Sequence, residues 1–118
     1  MALNHVNIRT RDLERMRTFL EDVAEVKVGP RPDFGFPGYW LYCGDQAALH
    51  LISIEANEDG IAGSVDHIAF DGFTLDPKKA ALDKSGHKYR VTGVPGTPIQ
   101  QIFVDGPDGV CIELQCTQ

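Results

Sequence analysis

At 118 residues the chain has the size of one domain, and 42% hydrophobic with 24% charged residues is an ordinary globular balance. No apolar run approaches the ~20 residues a membrane span needs, and a net charge of −6 argues against nucleic acid as a partner. Cys43, Cys111 and Cys116 form no Cys-x-x-Cys pair, which points away from a disulfide framework or a thiolate zinc site, and without a secretory signal the expected compartment is the cytoplasm.

Leu3 to Arg9 alternates as a half-buried strand, with Val6 and Ile8 on one face and Leu3, His5, Asn7 and Arg9 on the other. Asp12 is placed to cap a helix, in which Leu13, Met16, Phe19, Leu20 and Val23 recur at helical spacing. A short strand, Glu25 to Val28, follows. After it come a loop rich in Pro, Gly and Phe at Arg31 to Pro37, a strand from Gly38 to Cys43, a tight turn, and a strand from Ala47 to Ile54. The first half reads βαβββ.

Residues 55–65 are polar and contain glycine, as a linker does. Beyond them the pattern restarts. A strand covers Val65 to Phe70, Asp76-Pro77 is an N-cap with proline at the first helical position, and Gly86 closes the helix. Lys78, Lys79, Lys84, Lys88 and Arg90 fall mostly on that helix as a solvated face. A strand from Tyr89 to Val94 follows. The chain then ends in a hairpin, Ile99 to Asp105 and Val110 to Gln115, around Gly106-Pro107-Asp108-Gly109. There proline pre-sets φ, aspartate bonds its own backbone and glycine accepts positive φ. The fold class is therefore α+β, one domain made of two βαβββ modules, residues 1–54 and 66–118, joined by the linker.

The repeat sets a register. His5 and His67 stand third in the two opening strands (67 − 5 = 62), and His50 and Glu113 each stand five residues after the aspartates Asp45 and Asp108 (113 − 50 = 63). By strand alternation all of them face away from the helices. A carboxylate mid-strand among hydrophobic residues is costly unless it is paired or binds a cation. Imidazole nitrogens with one carboxylate oxygen suit one divalent ion, Zn, Ni, Fe or Mn. His5, His50, His67 and Glu113 are thus the expected metal ligands, with Glu113 also the expected catalytic group, and His87 belongs to the surface. On the same face Trp40 and Gly38 match Phe103 and Gln101 in register. Asn7, Arg9, Trp40, Gln101 and Phe103 are the expected contacts to a small organic substrate.

The paired βαβββ halves, the two opening-strand histidines and the ending Gln-Ile-Phe-Val-Asp-Gly-Pro-Asp-Gly-Val-Cys-Ile-Glu-Leu resemble the vicinal oxygen chelate superfamily of glyoxalase I, bleomycin-resistance and extradiol-dioxygenase proteins. The resemblance spans the whole chain. Where that family usually has Asp-Pro-Asp-Gly, this chain has Gly106 in the first place. The resemblance implies eight strands curled into a mixed sheet around a metal cleft, built within one chain or between chains of a swapped homodimer.

The reaction turns on His50. Glyoxalase I usually carries a carboxylate there, whereas dioxygenases and manganese fosfomycin-resistance transferases work with two histidines and one glutamate, matching His5, His67 and Glu113. An extra imidazole would close one of the adjacent open positions that an oxygen-activating iron requires. Three imidazoles and a carboxylate on a six-coordinate ion still leave room for a substrate that chelates through neighbouring oxygens. The resulting expectation is a glyoxalase-like lyase or isomerase that abstracts a proton next to a carbonyl, with Glu113 as the proton shuttle. The alternatives are a fosfomycin-resistance-like transferase or hydrolase, an extradiol-type dioxygenase, and a bleomycin-resistance-type binder that needs no metal.

Overall fold

The computed structural model describes residues 2–54, 65 and 67–118, so the expected linker lies outside the described residues except for Val65. The first module contains β1 (Val6–Thr10), α1 (Leu13–Ala24), β2 (Lys27–Gly29), β3 (Gly38–Cys43) and β4 (Gln46–Ser53). The second contains β5 (Ile68–Thr74), α2 (Leu75–Lys84), β6 (Arg90–Gly93), β7 (Gln100–Asp105) and β8 (Cys111–Thr117). The expected α+β class and both βαβββ modules are present. The strands form two four-stranded sheets with matching orders, β1-β4-β3-β2 and β5-β8-β7-β6.

In each sheet the opening strand runs parallel to the last one, which the intervening helix makes possible. Asn7 lies opposite His50 and Ala69 opposite Glu113; Trp40 lies opposite His50 and Phe103 opposite Glu113. The offsets of 62 and 63 found in the sequence are therefore the offsets of the pairing. Alternation then divides each sheet. Ile8, Leu41, Leu49 and Leu51 of the first module and Ile102, Val104, Ile112, Leu114 and Cys116 of the second enter one buried core.

Helix α1 serves both halves of that core. Its buried residues Met16, Phe19, Leu20 and Val23 cluster with the apolar residues of both sheets, and the helix touches β3, β4 and β8. Asp12 caps it as expected, accepting from the Arg15 amide at 3.0 Å. At the other end Glu25 takes a left-handed conformation (φ 60°) and donates its N–H to the Glu21 carbonyl at 3.1 Å. Glu25 therefore ends the helix, and the next strand starts at Lys27 rather than at Glu25. Helix α2 is shorter and buries only Leu82 and Lys78, the latter paired with Glu25 of the first module.

The start of α2 departs from expectation. Thr74 is the N-cap, in extended conformation and with no side-chain cap bond, and Asp76 lies within the first turn. Strand β5 runs directly into the helix, leaving no separate capping residue.

The last turn is a short 3-10 turn, Pro107–Gly109, with positive φ at Asp108 (55°) and Gly109 (78°). The Asp108 carboxylate, expected to serve its own backbone, reaches across the molecule instead. It accepts from the Thr10 hydroxyl at 2.6 Å and the Arg11 amide at 3.3 Å. Thr10 is fully buried and its Oγ accepts from the Asp12 amide at 3.1 Å, so one aspartate joins the second module's turn to the start of α1. Gly106 is explained by the same junction: a Cβ there would stand 2.4 Å from the Phe19 ring. Only glycine lets the helix approach this closely.

Candidate metal centre

His5 immediately precedes β1 and His67 immediately precedes β5, so each sits at the mouth of a sheet rather than within it. In the first module the His50 ring is sandwiched. It stacks on His5 with centroids 3.8 Å apart and on Trp40 at 4.1 Å, both close to parallel. His5 Nδ1 lies 2.7 Å from the Asn4 side-chain oxygen, an outer contact that fixes the ring and leaves Nε2 for a ligand. His50 Nε2 lies 3.0 Å from the Ala47 carbonyl, which can only accept; Nε2 thus carries the proton and Nδ1 the lone pair. Burial, and then the nearness of His5, lower the pKa of His50, so this imidazole is held neutral.

The second module repeats the arrangement with different chemistry. His67 Nε2 lies 3.1 Å from Glu113 Oε1, and the Phe103 ring meets the His67 ring edge-on at 5.6 Å. Glu113 is 3% exposed, and its other oxygen accepts from Gln115 Nε2 at 3.0 Å. A buried carboxylate is thus doubly partnered. Donors that each lie about 2.0–2.2 Å from a shared ion stand roughly 3 Å apart, so the spacing of His67 and Glu113 fits two neighbouring ligands.

The four expected ligands form two pairs. Among the described residues no group of three or more His, Cys, Asp or Glu side chains gathers around one point. The expected substrate contacts divide in the same way. Asn7 and Trp40 flank His50 in one cavity, while Phe103 borders His67 and Gln101 lies opposite Gln115 in the sheet register. Arg9 is an exposed residue of β1. His87 is half-buried rather than at the surface, edge-on to Phe19 at 5.6 Å and 3.4 Å from Asp22.

Sequence reasoning missed Arg31. In the β2–β3 loop its guanidinium lies over the rings of Phe34 and Phe36, 4.9 and 5.1 Å from their centroids. Nη1 donates to the Phe36 carbonyl at 3.2 Å. No period marks that loop, and the only signal was the density of aromatics around one arginine.

Paired βαβββ modules, each holding one polar pair on the face away from its helix, define a tandem-repeat domain with two matched polar pairs. The chain belongs to the Glyoxalase/Bleomycin resistance protein/Dioxygenase superfamily, whose family model matches residues 2–114. No curated protein matches closely enough to add to that. Among solved structures, the fosfomycin resistance protein FosX from Mesorhizobium loti is similar at 22% identity over 99% of this chain and 92% of its own, with a TM-score of 0.71. A protein from Bacillus anthracis described as of the glyoxalase family gives 24% identity, 100% and 96% coverage and a TM-score of 0.78. A glyoxylase/bleomycin resistance protein/dioxygenase domain from Frankia sp. EAN1pec gives 15%, 100% and 98%, and 0.77. At these identities the likeness concerns the fold.

Proposed function

We propose that the protein is a divalent-metal-dependent lyase or isomerase resembling glyoxalase, acting on a small oxygenated substrate, with its metal site completed between two copies of the chain. The observation that carries this is the buried Glu113 carboxylate with His67 Nε2 at 3.1 Å, a ligand-like pair that finds no third ligand among the described residues. From the other copy His5 would supply Nε2 and His50 Nδ1, their rings turning out of the stack so that both lone pairs meet the ion. Bound there, a divalent ion supplies Lewis acidity to a substrate carbonyl. Glu113 takes the proton from the neighbouring carbon, and Gln115, bonded to its second oxygen at 3.0 Å, orients it. Trp40 and Phe103 border the histidines and shield the reacting atoms from water.

Mixing two inactive variants tests the assembly. His5→Ala and Glu113→Ala, refolded together, produce mixed dimers with one intact site each. Metal binding should recover to about a quarter of the wild-type level if the site spans two copies. No recovery means that the ligands come from one chain.

A second reading is favoured by the bond from His50 Nε2 to the Ala47 carbonyl. If that bond keeps His50 out of the metal's reach, the ligands reduce to His5, His67 and Glu113, the set suited to opening an epoxide. His50→Ala would then leave metal affinity unchanged, whereas the four-ligand site requires it to fall.

A further inference from the structure

We propose that Arg31 forms an anion subsite, which binds the carboxylate or a similar oxyanion of an organic substrate whose planar, apolar part lies along Phe34, Phe36 and Trp40. The inference deepens the reading of the first module's face as a substrate site and rests on that reading only in placing the subsite beside His50. Its evidence is separate. Arg31 Nη2 is buried and has no hydrogen-bond partner, while Nη1 is engaged by the Phe36 carbonyl. Leaving a buried donor of a charged group unsatisfied is costly, and in a native protein such a group needs an explanation. The guanidinium borders a cavity of about 140 Å³ that it shares with Asn7, Phe34, Phe36, Trp40 and His50. Whole drug-sized ligands take roughly 300–1,000 Å³, so this space suits one functional group of a substrate and not all of it.

The fork is held in place from below. Gly38, the first residue of β3, would bring a Cβ within 2.8 Å of Arg31 Nη2 and 3.0 Å of its central carbon. The absence of a side chain there lets the guanidinium lie on the strand. Phe34 and Phe36 both lie against it on one side, their ring centroids 5.8 Å apart, and give the cation an aromatic wall. A planar fork of donors in an aromatic surround suits a carboxylate. Phe34 and Phe36 are about half exposed, at 50% and 51%, surface that a bound apolar group would cover.

Trp40 is the chain's single tryptophan and lines the same cavity, so its fluorescence reports occupancy directly. Metal-free protein is titrated with benzoate, phenylphosphonate and inorganic phosphate, and with benzamide as the uncharged counterpart of benzoate. Expected are saturable changes with benzoate or phenylphosphonate, weaker binding of phosphate and little response to benzamide. Arg31→Gln should weaken the organic anions by roughly 10- to 100-fold, the range of a charged hydrogen bond. Arg31→Lys, which keeps the charge and loses the fork, should fall between and serves if Arg31→Gln does not fold. Equal binding of benzoate and benzamide, or equal binding by wild type and both variants, overturns the proposal. So does a dimer that dissociates in Arg31→Gln while no anion binds, since Arg31 would then be pairing with the partner's surface. Because no metal is present, failure here leaves the metal reading standing, and failure of metal binding leaves the subsite standing.

Discussion

The two polar pairs occupy the same places in two copies of one motif and contain different chemistry. In the first, His50 lies between His5 and Trp40 in a stack of three rings. In the second, the same position carries Glu113, buried and bonded to His67 and Gln115, with Phe103 where the first has Trp40. The duplication transmitted positions rather than residues. The two halves differ in kind: one carries a stacked pair of imidazoles, the other a histidine beside a buried carboxylate.

The largest effect expected is on that carboxylate. Glu113→Ala should lower metal affinity more than about 100-fold, beyond the loss seen for outer-shell partners, while His50→Ala should cost roughly 10- to 100-fold. Calorimetric titration with Zn, Ni, Co and Mn would read both, and equal losses would erase the asymmetry between the halves. Next is the junction. Gly106→Asp restores the residue common in the family and drives a Cβ into Phe19, which should cost about 1–3 kcal/mol in urea unfolding. Phe19→Leu in the same chain should recover part of that loss if the clash is its cause. Asp108→Ala removes the acceptor that joins the turn to Thr10, with an expected loss of about 1 kcal/mol by the same measurement.

The smallest effect is in pH. His50 has its pKa lowered below the ordinary 6.5 when folded, so between those values the unfolded chain binds a proton that the folded chain does not. Stability therefore rises with pH across that window and falls as the solution is acidified below about 6.5. His50→Phe keeps a ring in the stack and removes the titration. Its stability profile should be flatter on acidification, and an unchanged profile would show that His50 does not contribute to the pH dependence.

Much of this was legible in the sequence because it is carried by local period and repeat. The α1 stripe and the Asp12 cap are spacing effects, and the register of His50 against Glu113 follows from two similar turns and became the observed strand pairing. The remainder was set at long range. Asp76-Pro77 has the composition of a helix start, but β5 feeds the helix without a break and Thr74 takes the cap position. Asp108 in a tight turn promises a local bond, and its partner Thr10 lies 98 residues away. Arg31 sits in a loop without a pattern, and the condition for its placement, a bare backbone at Gly38, becomes visible only when the strand and loop are brought together.

The sharing of α1 between the two sheets bears on how separable the repeats are. From its own helix the second module brings Leu82 to the common core with Leu75 packed against it, while Met16, Phe19, Leu20 and Val23 of α1 join the cluster that holds Ile112 and Leu114. A C-terminal half expressed alone would lose that cover and present an apolar sheet face to solvent, where association is the ready remedy. Two units that began as equals have thus become host and dependent. With one core shared between the modules, the halves are expected not to fold when separated, and the tandem protein is expected to unfold as one cooperative body.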